Sequence, residues 1–210
     1  MPTREQNRIA TRGLIIDTAI SLLTQQSLAH LSLRKLAQTC GVSHQTLYNH
    51  FPSKAHLAAE LLARNMPPIA TDVDALIKQY DGNLIAVLQQ ISELRWQHID
   101  AQPSDWLRAL LTHHPDLAQT DMAQPISSPL AVLHPNAHDR TFALLRLAQG
   151  RGELPQGLDT GLVAHTLTSL AEHALNQYLQ GTAGTNVLRQ TTQAQTHLML
   201  TPYIVTEPAR

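Results

Sequence analysis

A single cysteine, Cys40, stands in 210 residues, so the chain can form no internal disulfide and no cysteine zinc site. The simplest reading of Cys40 is a small buried hydrophobe in a reduced, cytoplasmic protein. Aromatic residues are scarce at 4%, which disfavours the Tyr-, Phe- and Trp-rich packing of sheet proteins. Charged residues make up 15% against a hydrophobic share of 43%, and that balance excludes a disordered chain. No apolar run is long enough for a membrane span. The opening MPTREQNRIATRG holds no apolar segment of signal-peptide length. Internal repeats and low-complexity tracts are also lacking. What the chain has in quantity is Leu, Ala and Gln, good helix formers, and the expectation is an all-α protein.

The near-neutral total charge hides a split. Residues 1–65 carry seven Lys/Arg (Arg4, Arg8, Arg12, Arg34, Lys35, Lys54, Arg64) against three acids, a net of +4, whereas the remainder carries eight basic and thirteen acidic residues, a net of −5. A basic head on an acidic body suggests that only the head meets a polyanion.

Along residues 8–26, Ile15, Ile16, Ala19, Ile20, Leu22 and Leu23 recur at helical spacing and predict a first helix. Leu28 and Leu31 fall in a short linker. Ser32 is placed to cap a second helix with Leu33, Leu36 and Ala37 as its inner face. Gly41 stands where a left-handed C-cap belongs. Ser43 then caps a third short helix through His50, with Leu47 and Phe51 pointing inward. Pro52 ends it, and Ser53 opens a fourth helix through Leu57, Leu61 and Leu62. Two short helices joined by a glycine-containing turn form a helix-turn-helix. The second of them presents His44, Gln45, Thr46, Tyr48, Asn49 and His50, six polar residues in seven, followed by Lys54. That is an unusual surface for a helix whose only task is packing.

Met66-Pro67-Pro68 marks a boundary, because consecutive prolines cannot continue a helix. The expected division is a three-helix helix-turn-helix DNA-binding domain over 1–65 and a larger helical domain over 66–210. In the latter, helices are predicted over 69–80, from Leu84 through Val87, Leu88, Ile91 and Leu94, and over 138–149, 159–180 and 185–200. Asp81-Gly82-Asn83 and residues 150–155 are turns. Pro103 opens a segment holding Trp106, Leu107, Leu110 and Leu111. The proline-rich stretch 115–139 reads as loop and short helical pieces.

The block SLRKLAQTCGVSHQTLYNHFPSKAHL, residues 32–57, strongly resembles the TetR family of bacterial regulators. The family pattern is a helix with Leu and Ala inside, a Gly-Val-Ser turn, and Thr-Leu-Tyr-x-His-Phe-x-x-Lys; here it runs from Gly41-Val42-Ser43 through Thr46-Leu47-Tyr48-Asn49-His50-Phe51 to Lys54. The resemblance covers roughly residues 8–62. One departure is Ser27, where members often carry Gly. The resemblance implies double-stranded DNA as a partner. Tyr48, His50 and Lys54 would hold the phosphate backbone, and Ser32 and Ser43, at helix N-termini, would add to it. His44, Gln45 and Asn49 would face base edges, and Thr46 a thymine methyl or a phosphate. It further implies a homodimer built from the last two helices, a palindromic operator, repression as the commoner mode, and a small-molecule effector bound among the middle helices. Candidates for that pocket are Leu88, Ile91, Trp96, Trp106, Leu110, Phe142, Leu145, His165 and His173. No cofactor and no membrane association are expected.

Twelve histidines open a rival reading. The pair His113-His114 with Asp116, and His134 with His138, would suit a metal sensor or a metal-dependent helical enzyme. No His-Glu-x-x-His pattern accompanies them, and no nucleophile or general-base constellation is present, so the non-enzymatic reading stands first.

Overall fold

The computed structural model describes residues 3–65, 69–103, 105–107 and 128–205, and these are helical with no strands. No helix among them is long and apolar enough to cross a membrane. The chain divides into two compact units, one built on residues up to 66 together with the segment around Asp105–Leu107, the other on residues 67–101 and 128 onward.

The first unit contains α1 (Arg4–Leu23), α2 (Leu33–Cys40), α3 (His44–His50) and α4 (Lys54–Asn65). Helix α1 begins at Arg4, four residues before the expected start at residue 8. Thr3 and Gln6 form a reciprocal capping box there, so the cap rather than the buried face sets the start. Its inner face is Ile15, Ile16 and Ala19, while Ile20, Leu22 and Leu23 are only partly buried. The helix stops at Leu23, short of the expected residue 26. The chain turns so that Leu28 and Leu31 are wholly buried. Bonds from His30 N to the Ser27 carbonyl and from Leu31 N to the Leu28 carbonyl, both 3.1 Å, hold that turn. Ser27 is not among the residues at positive φ, so glycine is not required at this position. Helix α1 packs on α2 and α4, and α2 on α3. Leu36, Leu47, Phe51, Leu57, Leu61 and Leu62 close the core. The Asp105 carboxylate accepts from Leu28 N at 2.6 Å, and Trp106 and Leu107 are buried.

The second unit contains α5 (Ala70–Lys78), α6 (Leu84–Asp100), α7 (Pro129–Leu133), α8 (Ala137–Gly150), α9 (Thr160–Leu179) and α10 (Thr185–Leu200), followed by a 3-10 turn at Thr201–Tyr203. Its core joins Val73, Tyr80, Leu84, Leu88, Ile91, Leu144, Leu145, Ala148, Val163, Ala164 and Leu200. Helix α9 packs against α8, α10 and α7, and α6 against α10 and α5. In the proline-rich stretch, Ser128 caps α7 by accepting from Ala131 N at 3.1 Å, and Pro129 suits its first turn. Asn136 takes the left-handed conformation (φ 59°) that turns the chain into α8. Glu153 fastens the 150–155 turn to the start of α6. Its carboxylate accepts from Tyr80 Oη, Asn83 N and Leu84 N, satisfying amides that a helix N-terminus leaves unpaired.

Candidate functional site

The turn between α2 and α3 determines where α3 points. Gly41 sits at φ 69°, ψ 23°. The Gly41 amide donates to the Gln38 carbonyl and the Val42 amide to Ala37, at 3.1 and 3.0 Å. This is the Schellman arrangement, which needs a residue free to take positive φ. Ser32 accepts from Lys35 N at 3.4 Å at the head of α2, and Ser43 accepts from Thr46 N at 3.0 Å at the head of α3. Both hydroxyls are therefore helix caps. Ser43 also meets Thr46 Oγ1 at 2.7 Å.

With Leu47 and Phe51 wholly buried, α3 turns its other faces outward. His44, Gln45, Tyr48 and Asn49 are exposed, and Thr46, His50 and Lys54 are half-buried. Of the nine sequence-predicted residues of this surface, six lie on α3 and Ser43 caps it, while Ser32 stands at the head of α2 and Lys54 at the head of α4. The exposed side chains are ordered in pairs four residues apart. The His44 and Tyr48 rings lie 4.5 Å apart. Gln45 Nε2 donates to Asn49 Oδ1 at 2.9 Å. That bond uses one N–H of Gln45 and leaves its carbonyl, its second N–H and the Asn49 amide group outward, a donor and acceptor set that matches adenine in the major groove.

Two residues behave differently from a simple cationic surface. Lys54 Nζ donates to the Ala29 carbonyl at 2.7 Å, so its charge is anchored to the 27–31 turn. Burial of His50, with Arg12 and then Arg8 adding, holds its imidazole below the usual histidine range. It is neutral at pH 7 and offers a phosphate one N–H rather than a charge.

Sequence reasoning missed Arg12 as part of this site. Its guanidinium donates to the His50 carbonyl at 3.0 Å and to Glu60 at 2.7 Å, and lies 4.5 Å from the centre of the Phe51 ring. One side chain of α1 thereby fixes the C-terminus of α3, with the cation at the end a helix dipole prefers. Its only signal in the sequence was a position in the basic head.

The second unit holds a partly open cavity of about 60 Å³, lined among others by Leu88, Ile91, Ser92, Arg95, Trp96, Ile99, His134 and Leu175. Three of the expected pocket residues, Leu88, Ile91 and Trp96, stand on its wall. The others do not. Leu145 is wholly buried in the core of the second unit. Phe142 is 39% exposed and stacks on His138. His165 and His173 lie on the outer faces of α9 and are exposed. Trp106 belongs to the first unit, and Leu110 lies outside the described residues. A 20-residue helix has outward as well as inward positions, and composition alone does not assign a histidine to either. The residues missed were Arg95 and Ser92. They share with Leu88, Ile91 and Ile99 the three-and-four spacing of a single helix face, so the register held the signal.

The metal alternative is not favoured. His134 is buried with its ring 5.8 Å from that of His98, whereas His138 is exposed beside Asp139 at 3.3 Å. Among the described residues no three His, Cys, Asp or Glu side chains converge. His113, His114 and Asp116 lie outside the described residues.

A Schellman turn, two serine caps and a polar α3 held by Arg12 define a helix-turn-helix DNA-binding protein. Residues 15–61 match the family model for bacterial regulatory proteins of the tetR family. An uncharacterized HTH-type transcriptional regulator of Mycobacterium tuberculosis is 24% identical over 85% of this chain and 100% of its own length. The HTH-type transcriptional repressor DrrR1 of Streptomyces coeruleorubidus is 25% identical over 94% of this chain and 61% of its own. Among solved structures, Thermus thermophilus FadR, a TetR-family repressor in complex with lauroyl-CoA, aligns with a TM-score of 0.67 at 19% identity, covering 95% of this chain and 98% of that one. A TetR-family regulator from Pectobacterium atrosepticum aligns with a TM-score of 0.68 at 16% identity over 98% and 99%. The structural likeness shows the fold. Residues 15–61 thus carry a DNA-binding domain that matches the tetR family, within the fold that these solved structures share.

Proposed function

We propose that this regulator is a repressor that binds a palindromic operator as a homodimer and is released by a small-molecule effector. The observation that carries the DNA-binding part is the exposed row His44, Gln45, Tyr48 and Asn49 on a helix capped at one end by Ser43 and fixed at the other by Arg12. Tyr48, His50 and Lys54 hold phosphates, Lys54 after exchanging its carbonyl partner, and Ser32, Ser43 and Thr46 steady the helix ends. Gln45 and Asn49 read bases as a pair, with His44 beside them. The domain division at residues 65 and 66 follows the same reading, with DNA binding in the first part and dimerisation and sensing in the second.

The homodimer is supported by exposed apolar side chains on α9 and α10. Leu162, Val187 and Leu198 are 63, 59 and 78% exposed, apolar surface that a second copy would cover. Two copies would place two α3 helices in successive major grooves, about 34–36 Å apart. The cavity supports effector response. A ligand bound there acts only if its affinity differs between DNA-binding and released forms.

The test is binding of the full chain to its own upstream intergenic DNA, titrated against salt and against random DNA. Sequence-selective binding that falls steeply with salt is expected. Gln45→Ala should relax selectivity at one base pair by about 1–3 kcal/mol, whereas Tyr48→Ala should weaken all sequences alike. Absence of selective binding by a folded dimer over the whole salt range overturns the reading.

A further inference from the structure

The cavity of the second unit contains polar groups that its own walls leave unsatisfied. Arg95 projects from α6 onto the cavity wall, and its Nε has no hydrogen-bond partner. No carboxylate among the described residues pairs with it. The neighbouring cation Arg140 is itself occupied by Asp74, at 2.6 and 3.1 Å. His134 stands on the same wall with both ring nitrogens buried and unpartnered. The lining threonines offer no donor in exchange. Thr141, Thr192 and Thr196 give their hydroxyl protons to the carbonyls of Ala137, Leu188 and Thr192, each at 2.8 Å. Burial, with Arg140 adding, pushes Arg95 down to about 10, so it stays charged at neutral pH. Burial, then Arg95 and His98, holds His134 well below the usual histidine range, so its ring is neutral and presents one N–H. Arg95 is partly buried, and a buried guanidinium Nε without a partner, beside an imidazole with neither nitrogen bonded, is an arrangement that a bound acceptor would satisfy.

We propose that the effector is a small organic carboxylate, its anionic head paired with Arg95 and hydrogen-bonded by His134, its apolar body lying along Leu88, Ile91, Trp96 and Leu175. This rests on the effector-responsive reading above. A planar guanidinium matches a carboxylate in a bidentate fork. A dianionic phosphate would leave one negative charge uncompensated in an otherwise apolar cavity. About 60 Å³ of interior space corresponds to roughly four to six water-sized positions, enough for a carboxylate head with a short aliphatic or single-ring body.

The experiment measures binding by calorimetry and melting for the full chain with acetate, butyrate, hexanoate, octanoate and benzoate, each beside its uncharged alcohol, at constant ionic strength. Carboxylates of four carbons or more should bind at least tenfold tighter than their alcohols. In Arg95→Met that preference should vanish, and the ligand-free variant should melt no lower than wild type, because an unpaired buried charge has been removed. A lower melting point for Arg95→Met, with no carboxylate preference in wild type, assigns Arg95 a structural role and overturns the proposal. The wild-type comparison decides alone if the variant does not fold. Tighter binding of the alcohols, with release of DNA, overturns the carboxylate but leaves effector response standing. Failure of every compound class to bind overturns both.

Discussion

Arg12 shows how one side chain can link stability to recognition. It bridges α1, the α3 C-terminus and Glu60 on α4, and covers Phe51. Its charged contacts are about one-third exposed, so solvent screening limits the ion pair. The bond to a backbone carbonyl and the ring contact add to it. Arg12→Ala should cost about 1–3 kcal/mol in urea unfolding, and Arg12→Lys should restore only part because the fork geometry is lost. Histidine gives the residue scale its pH dependence. His134, and to a lesser degree His50, are held neutral below the value of an unfolded histidine. Their contribution is fully present above about pH 6.5 and is lost as pH falls below that value, because the unfolded chain takes up the proton first. The melting temperature without added ligand should therefore decline from about pH 6.5 towards 5. His134→Leu should flatten the decline, and an unchanged slope would assign it elsewhere.

At the scale of elements, the α2–α3 turn is the part that most constrains function. A Cβ on Gly41 would meet no atom within 4 Å, yet its φ is +69°. The penalty for Gly41→Ala is therefore backbone strain alone, about 1–2 kcal/mol. Gly41→Asn should cost less, since asparagine tolerates the left-handed region. Thermal unfolding of both variants, compared with their DNA affinity, tests whether a tilted α3 lowers binding beyond what stability explains. Most of these elements were legible in the sequence. Ser32, Gly41, Ser43 and Pro52 act within a few residues of themselves, so caps and breaks could be read directly. The start of α1 could not be read from its apolar stripe, because the capping box formed by Thr3 and Gln6 lies ahead of it.

Across the whole molecule, the net charge of +4 on residues 1–65 and −5 on the rest keeps attraction to DNA confined to the recognition unit. The same scale governs assembly. Leu198→Glu, at a position 78% exposed, should leave folding of the single chain within about 0.5 kcal/mol. It should also shift sedimentation from dimer to monomer and reduce operator affinity at least tenfold. A stable dimer with unchanged affinity would place the interface on another surface.

The sequence by itself determined the helical class, the helix-turn-helix and its outward polar row, because caps, periodicity and turn glycines are local signals. Only the tertiary structure decided which middle residues share a cavity. Leu88, Ile91 and Trp96 reach its wall while Phe142, His165 and His173 face outward, since the choice between two faces of a helix depends on which neighbour packs against it. The same holds for Arg12 and Arg95. In the sequence each is one more positive charge. Contacts across 38 and 48 residues make Arg12 a clamp, and packing within the second unit leaves the Arg95 Nε buried without a partner on the cavity wall.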